Sequence, residues 1–434
     1  MLSMKEHVKR RVLAWLIVVS LSPIPFMVKS PEWSIAHSLW LYSSAVAGYT
    51  GIVLLLWMYI LGTKSVMGLY FRDLAPVLSI HKWLGKYGTL LIFVHPLAVA
   101  ISYGVEIINY VIEPNVGLSF ERSVTWGRFA LYALGLVWLT SALVRGRIAF
   151  RPWKYIHYLS YIALPLALVH IPSIGTSYRS LDLPRVYFMS VLFLLALFSV
   201  LRLRHLFSLG RARFTVVCHT EISPGVWLIA LKPGGRTVHV RHGQYVYLQW
   251  SLLGEEHPFT LLRHDEQTGE LTIAYKVLGA WTKKLSALED GSTVYVDGPY
   301  GSFMEEATEA SEPTVFIAAG IGITPFVEPI LRSAAGHNWL FYANRTTDSA
   351  VLSCQLKTKL GNHYVSILSR VDTSSSLCDE RGHICSEMLA KYLPEPSRYR
   401  YYICGSEAFM QTATASLAAL KVPAAHIHTE AFSW

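Results

Sequence analysis

Charged side chains are scarce in this sequence. Only 15% of its 434 residues are charged, whereas 52% are hydrophobic and the mean hydropathy is +0.35. This balance argues against a purely soluble enzyme and is typical of a chain that is partly embedded in lipid. The net charge of +9 does not indicate a nucleic-acid partner, because the lysines and arginines form no single tract. We therefore expect a lipid bilayer as a partner and no nucleic acid.

Cysteine is also scarce. None of the five cysteines forms a C-x-x-C pair, so their spacing argues against a zinc site or an iron–sulfur cluster. They all lie after residue 210, where the cytoplasmic position predicted below argues against disulfides. They are Cys218, Cys354, Cys378, Cys385 and Cys404.

Long apolar runs are abundant before residue 210. Six of them are long enough to span a bilayer, at roughly 12–28, 36–61, 78–103, 126–144, 153–172 and 184–206. The first run also resembles a cleaved signal peptide. It has no small-x-small cleavage site, however, and it contains Pro23 and Pro25. We therefore predict a six-helix transmembrane domain over residues 1–210.

Basic residues flank these runs unevenly. An excess of lysine and arginine marks the cytoplasmic side of a membrane protein. Both termini are therefore predicted to be cytoplasmic, in a multi-pass protein of the plasma (cell inner) membrane. The cytoplasmic set is Lys5, Lys9, Arg10, Arg11, Lys64, Arg72, Arg145, Arg147, Arg151, Lys154, Arg202, Arg204, Arg211 and Arg213, and the smaller outer set is Lys29, Arg122, Arg179 and Arg185.

Four histidines stand inside two of the runs. His81 and His95 lie in the third run, and His157 and His170 lie in the fifth. At about 1.5 Å of rise per helical residue each pair spans roughly 20 Å, so each helix offers one imidazole near either face of the bilayer. If the helices lie side by side, His81 can face His157 at the inner side and His95 can face His170 at the outer side. Two opposed imidazoles are what a six-coordinate b-type haem requires, so the pattern predicts two haem b groups in series.

A different interpretation of these histidines stays open. An ionisable side chain inside a membrane is often part of a proton path, so the alternative is a transporter or proton channel with a regulatory nucleotide-binding domain. The helical phase is a further difficulty. His81 and His95 are fourteen positions apart, which returns an ideal helix to about 40° of the starting face. His157 and His170 are thirteen positions apart, which leaves the second ring about 140° away from the first. We expect Pro165, between His157 and His170, to let the helix rewind.

The chain after residue 210 has a different pattern. Short alternating runs separated by glycine and proline turns predict an antiparallel β-barrel over 211–305. The polar segment Met304–Pro313 then separates it from alternating strands and helices, which predict an α/β domain with a parallel sheet over 306–434. A barrel followed by a nucleotide-binding sheet is the layout of a flavin reductase.

Three short motifs make this layout more specific. The turn Gly320-Ile321-Gly322-Ile323-Thr324-Pro325 follows a predicted strand and opens a predicted helix, where backbone N–H groups can meet a pyrophosphate. His257-Pro258-Phe259-Thr260 lies on a predicted barrel strand. Gly279-Ala280-Trp281-Thr282 precedes the helix-like TKKLSAL and places a hydroxyl and free amides where a flavin pyrophosphate can rest.

The joint order of these motifs carries a resemblance. The four histidines, HPFT, GAWT, GPYG (Gly298 to Gly301), GIGITP and CGSEAF (Cys404 to Phe409) together resemble the NADPH oxidase and ferric reductase superfamily. The resemblance covers essentially the whole chain. It implies a haem-bearing helix bundle, a barrel that binds FAD and an α/β domain that binds NADPH, with NADH possible. The sequence has no calcium-binding EF-hand loop, which makes it similar to the small prokaryotic members of the superfamily. We therefore expect no obligatory protein activator.

The resemblance also implies roles for individual residues. Phe259 and Thr260 would contact the isoalloxazine, and Thr260 would lie near the reactive flavin nitrogen. Cys404 and Gly405 would lie beside the nicotinamide, and either Phe432 or Trp434 would cover the flavin face. We count Thr260, Cys404, Phe432 and Trp434 as candidate catalytic residues. The FAD residues would be His257, Pro258, Phe259, Thr260, Gly279, Trp281 and Thr282, and the nucleotide residues Gly320, Gly322, Thr324, Pro325, Arg345, Ser369, Arg370, Cys404 and Gly405, of which Arg345, Ser369 and Arg370 would hold the 2′-phosphate.

The activity that the resemblance implies is transmembrane electron transfer. Electrons would pass from NADPH through FAD and the two haems to molecular oxygen outside, giving superoxide. Ferric or cupric chelate reduction is the alternative, because the arginine that animal-type oxidases carry on the second helix is absent here and only His37 lies nearby. The fifth helix also has no aromatic residue at its middle, where Ile162, Ala163 and Leu164 stand.

Overall fold

The chain forms two compact units. A computed structural model describes residues 2–28, 35–174, 183–207, 211–251, 254–305, 307, 313–333, 338–370 and 379–431. One unit is Met4–Arg204, and the other is His205–Trp434 with Met1–Ser3.

The described residues of the first unit form helices joined by turns and loops. Its apolar runs form helices because a helix satisfies every backbone polar group within one segment, as a lipid environment requires. The helices are α1 (Leu2–Leu21), α2 (Ile24–Met27), α3 (Ile35–Leu61), α4 (Lys64–Tyr70), α5 (Ala75–Trp83), α6 (Thr89–Tyr103), α7 (Ile107–Ile112), α8 (Ser119–Trp138), α9 (Phe150–His157), α10 (Ser160–Ile174) and α11 (Leu183–Leu206).

Five stretches of the described chain are long and apolar enough to cross a membrane. The sixth predicted run, 126–144, forms most of α8 and a following π-turn at Leu139–Leu143. It is not among the five, so six spans are not confirmed. Its helix carries Glu121, Arg122 and Arg128, and these charges lower its mean hydropathy. The five are Val8–Met27, His37–Leu61, Ala75–Tyr103, Phe150–Pro172 and Leu183–His205.

Both histidine-bearing spans depart from a regular α-helix. A π-turn at Leu84–Gly88 separates α5 from α6, and a turn at residues 158–159 separates α9 from α10. At the second break the hydrogen bonds tighten to i→i−3, as from Leu159 N–H to the Ile156 carbonyl at 3.0 Å. Pro165 lies inside α10, so the prediction that the helix rewinds at this proline is wrong. The phase angles of an ideal helix therefore apply to neither span.

Close packing in the bundle depends on glycines. α3 packs on α6, and α8 packs on α10. A Cβ atom on Gly51 would lie 2.7 Å from Cγ1 of Ile92 on the facing helix. Small residues at such positions let helix backbones approach in a membrane, where no hydrophobic effect draws helices together.

The barrel was predicted correctly. Strands β1 (Ala212–Ser223), β2 (Val226–Pro233), β3 (Tyr245–Gln249), β4 (His257–His264), β5 (Leu271–Lys276) and β6 (Thr293–Tyr300) close in the order β1-β2-β5-β4-β3-β6, and all pairs are antiparallel. Alternate side chains such as Phe214, Ile229 and Ile273 fill its interior. Helix α12 (Ala280–Leu285) follows β5.

The rest of this unit is an α/β domain with a parallel sheet, as predicted. Its strands β7 (Thr314–Ala319), β8 (Asn338–Asn344), β9 (Tyr364–Leu368), β10 (Glu380–Arg381), β11 (Arg400–Gly405) and β12 (Ile427–Ala431) lie in the order β10-β9-β8-β7-β11-β12. The helices are α13 (Thr324–Arg332), α14 (Ser353–Leu360), α15 (Ser386–Tyr392) and α16 (Glu407–Ala419). The strand order reverses between β7 and β11, so the carboxyl ends of these two strands flank the crevice where such sheets bind ligands. Sequence patterns did not predict β10 or β12.

We expect Gly51→Ala to destabilise the bundle. The added Cβ meets the stiff, β-branched Ile92, and such overpacking costs about 1–3 kcal/mol. Gly135→Ala is the matched control, because its nearest neighbour, Cε1 of Phe93, is 3.9 Å away. That change should be neutral or stabilising, since alanine favours a helix over glycine by about 1 kcal/mol. Thermal unfolding of both variants in the same detergent tests this, and equal melting temperatures would refute the packing argument.

Candidate functional site

The four histidines lie in two facing pairs. The ring centroids of His81 and His157 are 6.2 Å apart, and those of His95 and His170 are also 6.2 Å apart. The first pair joins α5 to α9 and the second joins α6 to α10. The pairing predicted from spacing alone is therefore present in the structure.

The outward nitrogen of each ring already has a partner. Nδ1 of His81 donates to the Met58 carbonyl at 3.0 Å, that of His95 to the Ser44 carbonyl at 2.8 Å, and that of His170 to the Ser123 carbonyl at 2.9 Å. Nδ1 of His157 lies 3.3 Å from the Ser141 hydroxyl. A carbonyl oxygen only accepts hydrogen bonds, so Nδ1 carries the proton in the three rings bonded to carbonyls. Their Nε2 lone pairs are left for a metal, which is how protein metal sites orient histidine ligands.

The separation within each pair fits a metal ion between the rings. Two bonds of about 2 Å from imidazole nitrogens to a metal account for about 4 Å of the 6.2 Å between ring centroids. The remaining distance is about what separates each bonding nitrogen from the centroid of its own ring, counted once for each histidine. These residues therefore fit two bis-imidazole iron sites of the kind that haem b needs.

Glycines on the neighbouring helices make room for two of the four rings. A Cβ on Gly127 would lie 2.6 Å from Nδ1 of His170, and one on Gly48 would lie 3.0 Å from Nδ1 of His95. Sequence reasoning missed these glycines, although a glycine inside an apolar helix was a usable signal, since it usually marks a packing need.

Arg128 is a second feature that the sequence analysis missed. This α8 residue is only 7% exposed, follows Gly127 directly and lies within electrostatic range of His170. Its Nε donates to the Tyr110 carbonyl at 2.7 Å and one terminal nitrogen donates to the Thr125 hydroxyl at 3.3 Å. The predicted alternative, His37, lies instead against Tyr103 at the end of α6.

In the other histidine-bearing span, an aromatic residue lies between the two histidines in sequence. Phe93 of α6 packs edge-on against Trp138 of α8, with ring centroids 5.8 Å apart. In α10, Ala163 and Leu164 are buried and Ile162 is 52% exposed.

The barrel brings two of its predicted motifs together. Trp281 of α12 lies against His257 and Phe259 of β4, with ring centroids 4.2 and 5.5 Å apart. Pro258 and Thr260 follow on the same strand and pair with Tyr247 and Tyr245, and Thr260 is 6% exposed. The HPFT and GAWT residues therefore form one side of the barrel, as a shared flavin site requires.

The start of α12 differs from the prediction. The helix begins at Ala280, inside the GAWT motif, rather than after it. The Thr282 hydroxyl accepts hydrogen bonds from Leu278 N–H and Gly279 N–H, at 3.0 and 3.1 Å, and donates to the Gly279 carbonyl. Neither this hydroxyl nor these two amides are free, because a threonine at this position caps its own helix.

The glycine turn lies at the reversal of strand order. Gly320 has φ +53°, and Gly320–Ile323 form a 3₁₀ turn that leads into α13, whose first turn contains Thr324 and Pro325. A Cβ on Gly322 would lie 2.4 Å from the Cys404 carbonyl oxygen and 3.1 Å from Cα of Gly405. These predicted nucleotide residues therefore meet at the carboxyl ends of β7 and β11, with backbone N–H groups near the start of a helix.

The predicted 2′-phosphate residues are also neighbours. Arg370 N–H donates to the Arg345 carbonyl at 2.9 Å, and Ser369 N–H donates to the Asn344 carbonyl at 3.0 Å. This places both arginines at the carboxyl ends of adjacent strands. The side chain of Asn344 is 8% exposed and lies beside the Tyr342 hydroxyl.

Cys404 is fully buried at the end of β11. Burial, reinforced by the nearby Glu430 carboxylate, raises the pKa of its thiol well above the usual value, so the thiol stays neutral. Phe432 and Trp434, the predicted aromatic covers, lie outside the described residues.

Three protein-family profiles match the chain. Residues 47–168 match the ferric reductase-like transmembrane component, residues 226–304 an FAD-binding domain and residues 316–415 an oxidoreductase NAD-binding domain. These matched regions contain His81, His95 and His157, the HPFT and GAWT motifs and the glycine turn, and His170 lies two residues beyond the first of them.

Curated relatives match parts of the chain. It is 28% identical over 323 residues to ferric reduction oxidase 2 of Arabidopsis thaliana, and the matched region covers 70% of this chain and 42% of that protein. It is 26% identical over 241 residues to a heavy chain of the superoxide-generating NADPH oxidase of Dictyostelium discoideum, covering 50% and 44%. It is 34% identical over 145 residues to the ferredoxin reductase component of the 3-ketosteroid-9-alpha-monooxygenase of Mycobacterium tuberculosis, covering 33% and 39%. The chain thus spans less than half the length of these relatives.

We expect Gly322→Ala to weaken nucleotide binding by at least about tenfold, which is about 1.4 kcal/mol. The new Cβ meets the Cys404 backbone rather than a movable side chain, so the turn must shift away from β11. Titration of the purified protein with NADP⁺, followed by calorimetry, measures the change. Gly146→Ala is the control, because Gly146, like Gly322, has no positive φ, and a Cβ there would meet nothing within 4 Å. If both variants bind NADP⁺ like the wild type, the close approach is not needed for the site.

Proposed function

Because the chain belongs to the NADPH oxidase and ferric reductase superfamily, we propose that it is a transmembrane NADPH oxidase. Electrons pass from NADPH to an acceptor on the opposite side of the membrane, and that acceptor is molecular oxygen, which becomes superoxide. The observation that carries the proposal is the pair of facing histidine sets, each with 6.2 Å between ring centroids.

The assignment of cofactors follows the geometry of each part. His81 and His157 would hold one haem b, and His95 and His170 the other. When bound, FAD supplies hydride acceptance followed by release of single electrons, and each haem supplies a one-electron carrier. The chain's own contribution is to fix positions. The Nδ1 hydrogen bonds orient the imidazoles, the HPFT residues and Trp281 hold the flavin, and the glycine turn holds the nucleotide pyrophosphate. Arg345, Ser369 and Arg370 favour NADPH over NADH.

The proposed direction of transfer follows from the distribution of basic residues. The helix ends richest in lysine and arginine are placed in the cytoplasm, together with both termini and the two cofactor domains. The His81 and His157 pair then lies at the inner side of a plasma membrane protein, and the His95 and His170 pair lies at the outer side.

A second candidate acceptor is a ferric or cupric chelate. Two ferric reduction oxidases of Arabidopsis thaliana are among the relatives, at 27% and 28% identity, and they cover 61% and 70% of this chain. With two histidines assigned to each haem, neither acceptor would bind to a haem iron. The two acceptors therefore differ only in what the outer surface admits.

We predict that His95→Ala and His170→Ala each abolish transmembrane reduction. Each change removes one of the two histidines that would hold the outer haem, while the flavin site and the inner pair stay intact. The reduced-minus-oxidised spectrum and the haem content of each variant provide the test, with NADPH-driven reduction of a soluble dye as the measure of flavin function. His37→Ala is the control, since its Nδ1 bonds to Ser102 rather than facing another paired histidine. A colourless wild-type protein would favour the proton-channel alternative, and full current in both variants would refute the haem assignment.

We predict that NADPH oxidation in air reduces cytochrome c in a reaction that superoxide dismutase blocks. Superoxide leaves the protein and is intercepted by the dismutase, whereas direct electron transfer to cytochrome c is not. The same preparation should be assayed without oxygen in the presence of ferric citrate. A cytochrome c signal that survives the dismutase, combined with fast anaerobic reduction of ferric citrate, would replace oxygen by a metal chelate as the acceptor.

A further inference from the structure

We propose that Arg128 forms a carboxylate-binding site beside the outer histidine pair. The inference rests on the proposed function, because it assumes that His95 and His170 hold a haem. It adds a site that neither the family match nor the motif pattern assigns, with its chemistry set by a buried guanidinium.

The first argument is the missing counter-ion. Arg128 is 7% exposed, yet it forms no ion pair with a carboxylate of the described residues. Two of its three nitrogens donate to neutral oxygens, and the ring of Tyr110 lies 5.4 Å from the guanidinium carbon. A guanidinium keeps its charge in a protein, and an isolated buried charge costs several kcal/mol. An anion bound there removes that cost.

The second argument is position. Gly127, the preceding residue, is the point where α8 touches the His170 ring, and the Ser123 carbonyl on the same helix accepts the His170 Nδ1 proton at 2.9 Å. Arg128 itself lies within electrostatic range of His170. An anion bound by Arg128 therefore lies close to the metal site proposed for this pair.

The third argument is geometry. A guanidinium is a planar fork that matches the two oxygens of a carboxylate. Arg128 is also held in place, because Thr125 accepts from one nitrogen and is itself tied to both backbone groups of Asn115, at 2.9 and 2.6 Å. A carboxylate can come from two sources: a propionate of the outer haem, or a carboxylate of a metal chelate such as ferric citrate that approaches from outside.

The test is a redox titration of the holoprotein in lipid nanodiscs, followed by haem absorbance. Arg128→Gln removes the charge and should shift one of the two haem reduction steps to lower potential, whereas Arg128→Lys keeps the charge and should shift it less. The melting temperature gives a second reading. Loss of a carboxylate's partner lowers it, whereas removal of a charge that is truly unpaired raises it.

Two controls separate the charge from its structural bonds. Tyr132→Phe removes hydrogen bonds to the Val111 and Ile112 carbonyls without altering charge. Both carbonyls lie in α7, the helix to which Arg128 is bonded through the Tyr110 carbonyl. Arg122→Gln removes an exposed charge from the same helix. Both should leave the haem steps unchanged.

The Michaelis constant for ferric citrate distinguishes the two sources. If the carboxylate belongs to the chelate, Arg128→Gln should raise the Michaelis constant for ferric citrate about tenfold, which is the range expected for one charge-assisted hydrogen bond. The Michaelis constant for a cationic ferric bipyridyl complex should then stay the same. If neither constant changes but the haem step shifts, the carboxylate belongs to the haem.

Three results would overturn the site. They are unshifted haem steps in Arg128→Gln, an equal shift in Tyr132→Phe, or a higher melting temperature in Arg128→Gln together with an unchanged Michaelis constant for ferric citrate. Each of them leaves the proposed function standing as long as the wild type titrates in two haem steps. A wild-type protein without a haem spectrum would instead overturn the proposed function and this site together.

Discussion

The hydrogen bond from an imidazole Nδ1 to a backbone carbonyl is the interaction on which the membrane unit depends. It fixes the tautomer of His81, His95 and His170 and turns each Nε2 lone pair toward the facing histidine. The acceptors are carbonyls of neighbouring helices, so the helices must approach closely enough for the bond to form. Each glycine that contacts a ring is therefore part of the same arrangement, because a Cβ on Gly127 would collide with that ring.

Most of the fold could be predicted because it depends on local periodicity. Alternating side chains gave the barrel strands, and apolar runs gave the helices. Helical phase was not predictable, because the π-turn at Leu84–Gly88 and the break at residues 158–159 are shifts of backbone hydrogen bonds that no side chain announces. Strand β12 was missed for another reason: its sequence IHTEA has little apolar character, and it forms a strand because β11 offers it an open edge.

Candidate site residues could be recognised in the sequence where their residue type is unusual in its surroundings. They could not be recognised where their role depends on which residues lie next to them in the folded chain. Four histidines in apolar helices stand out in any sequence. Arg128 does not, because one arginine in a helical run has no meaning until the structure shows that it is buried beside His170. Thr282 illustrates the reverse error, since a hydroxyl that looks available for a ligand is used to cap its own helix.

Glycine allows a close approach at the proposed sites of both units. At the nucleotide site, Gly322 lets the turn touch the backbone of Cys404, and in the bundle Gly48 and Gly127 let a helix touch a histidine ring. In both places a missing side chain sets the distance between backbone segments, and that distance decides whether polar groups point at a ligand. Arg128 differs because its role is set by charge and not by space. In the arrangement that we propose, space therefore determines where cofactors can lie, while the buried charge of Arg128 determines which anion can lie beside one of them.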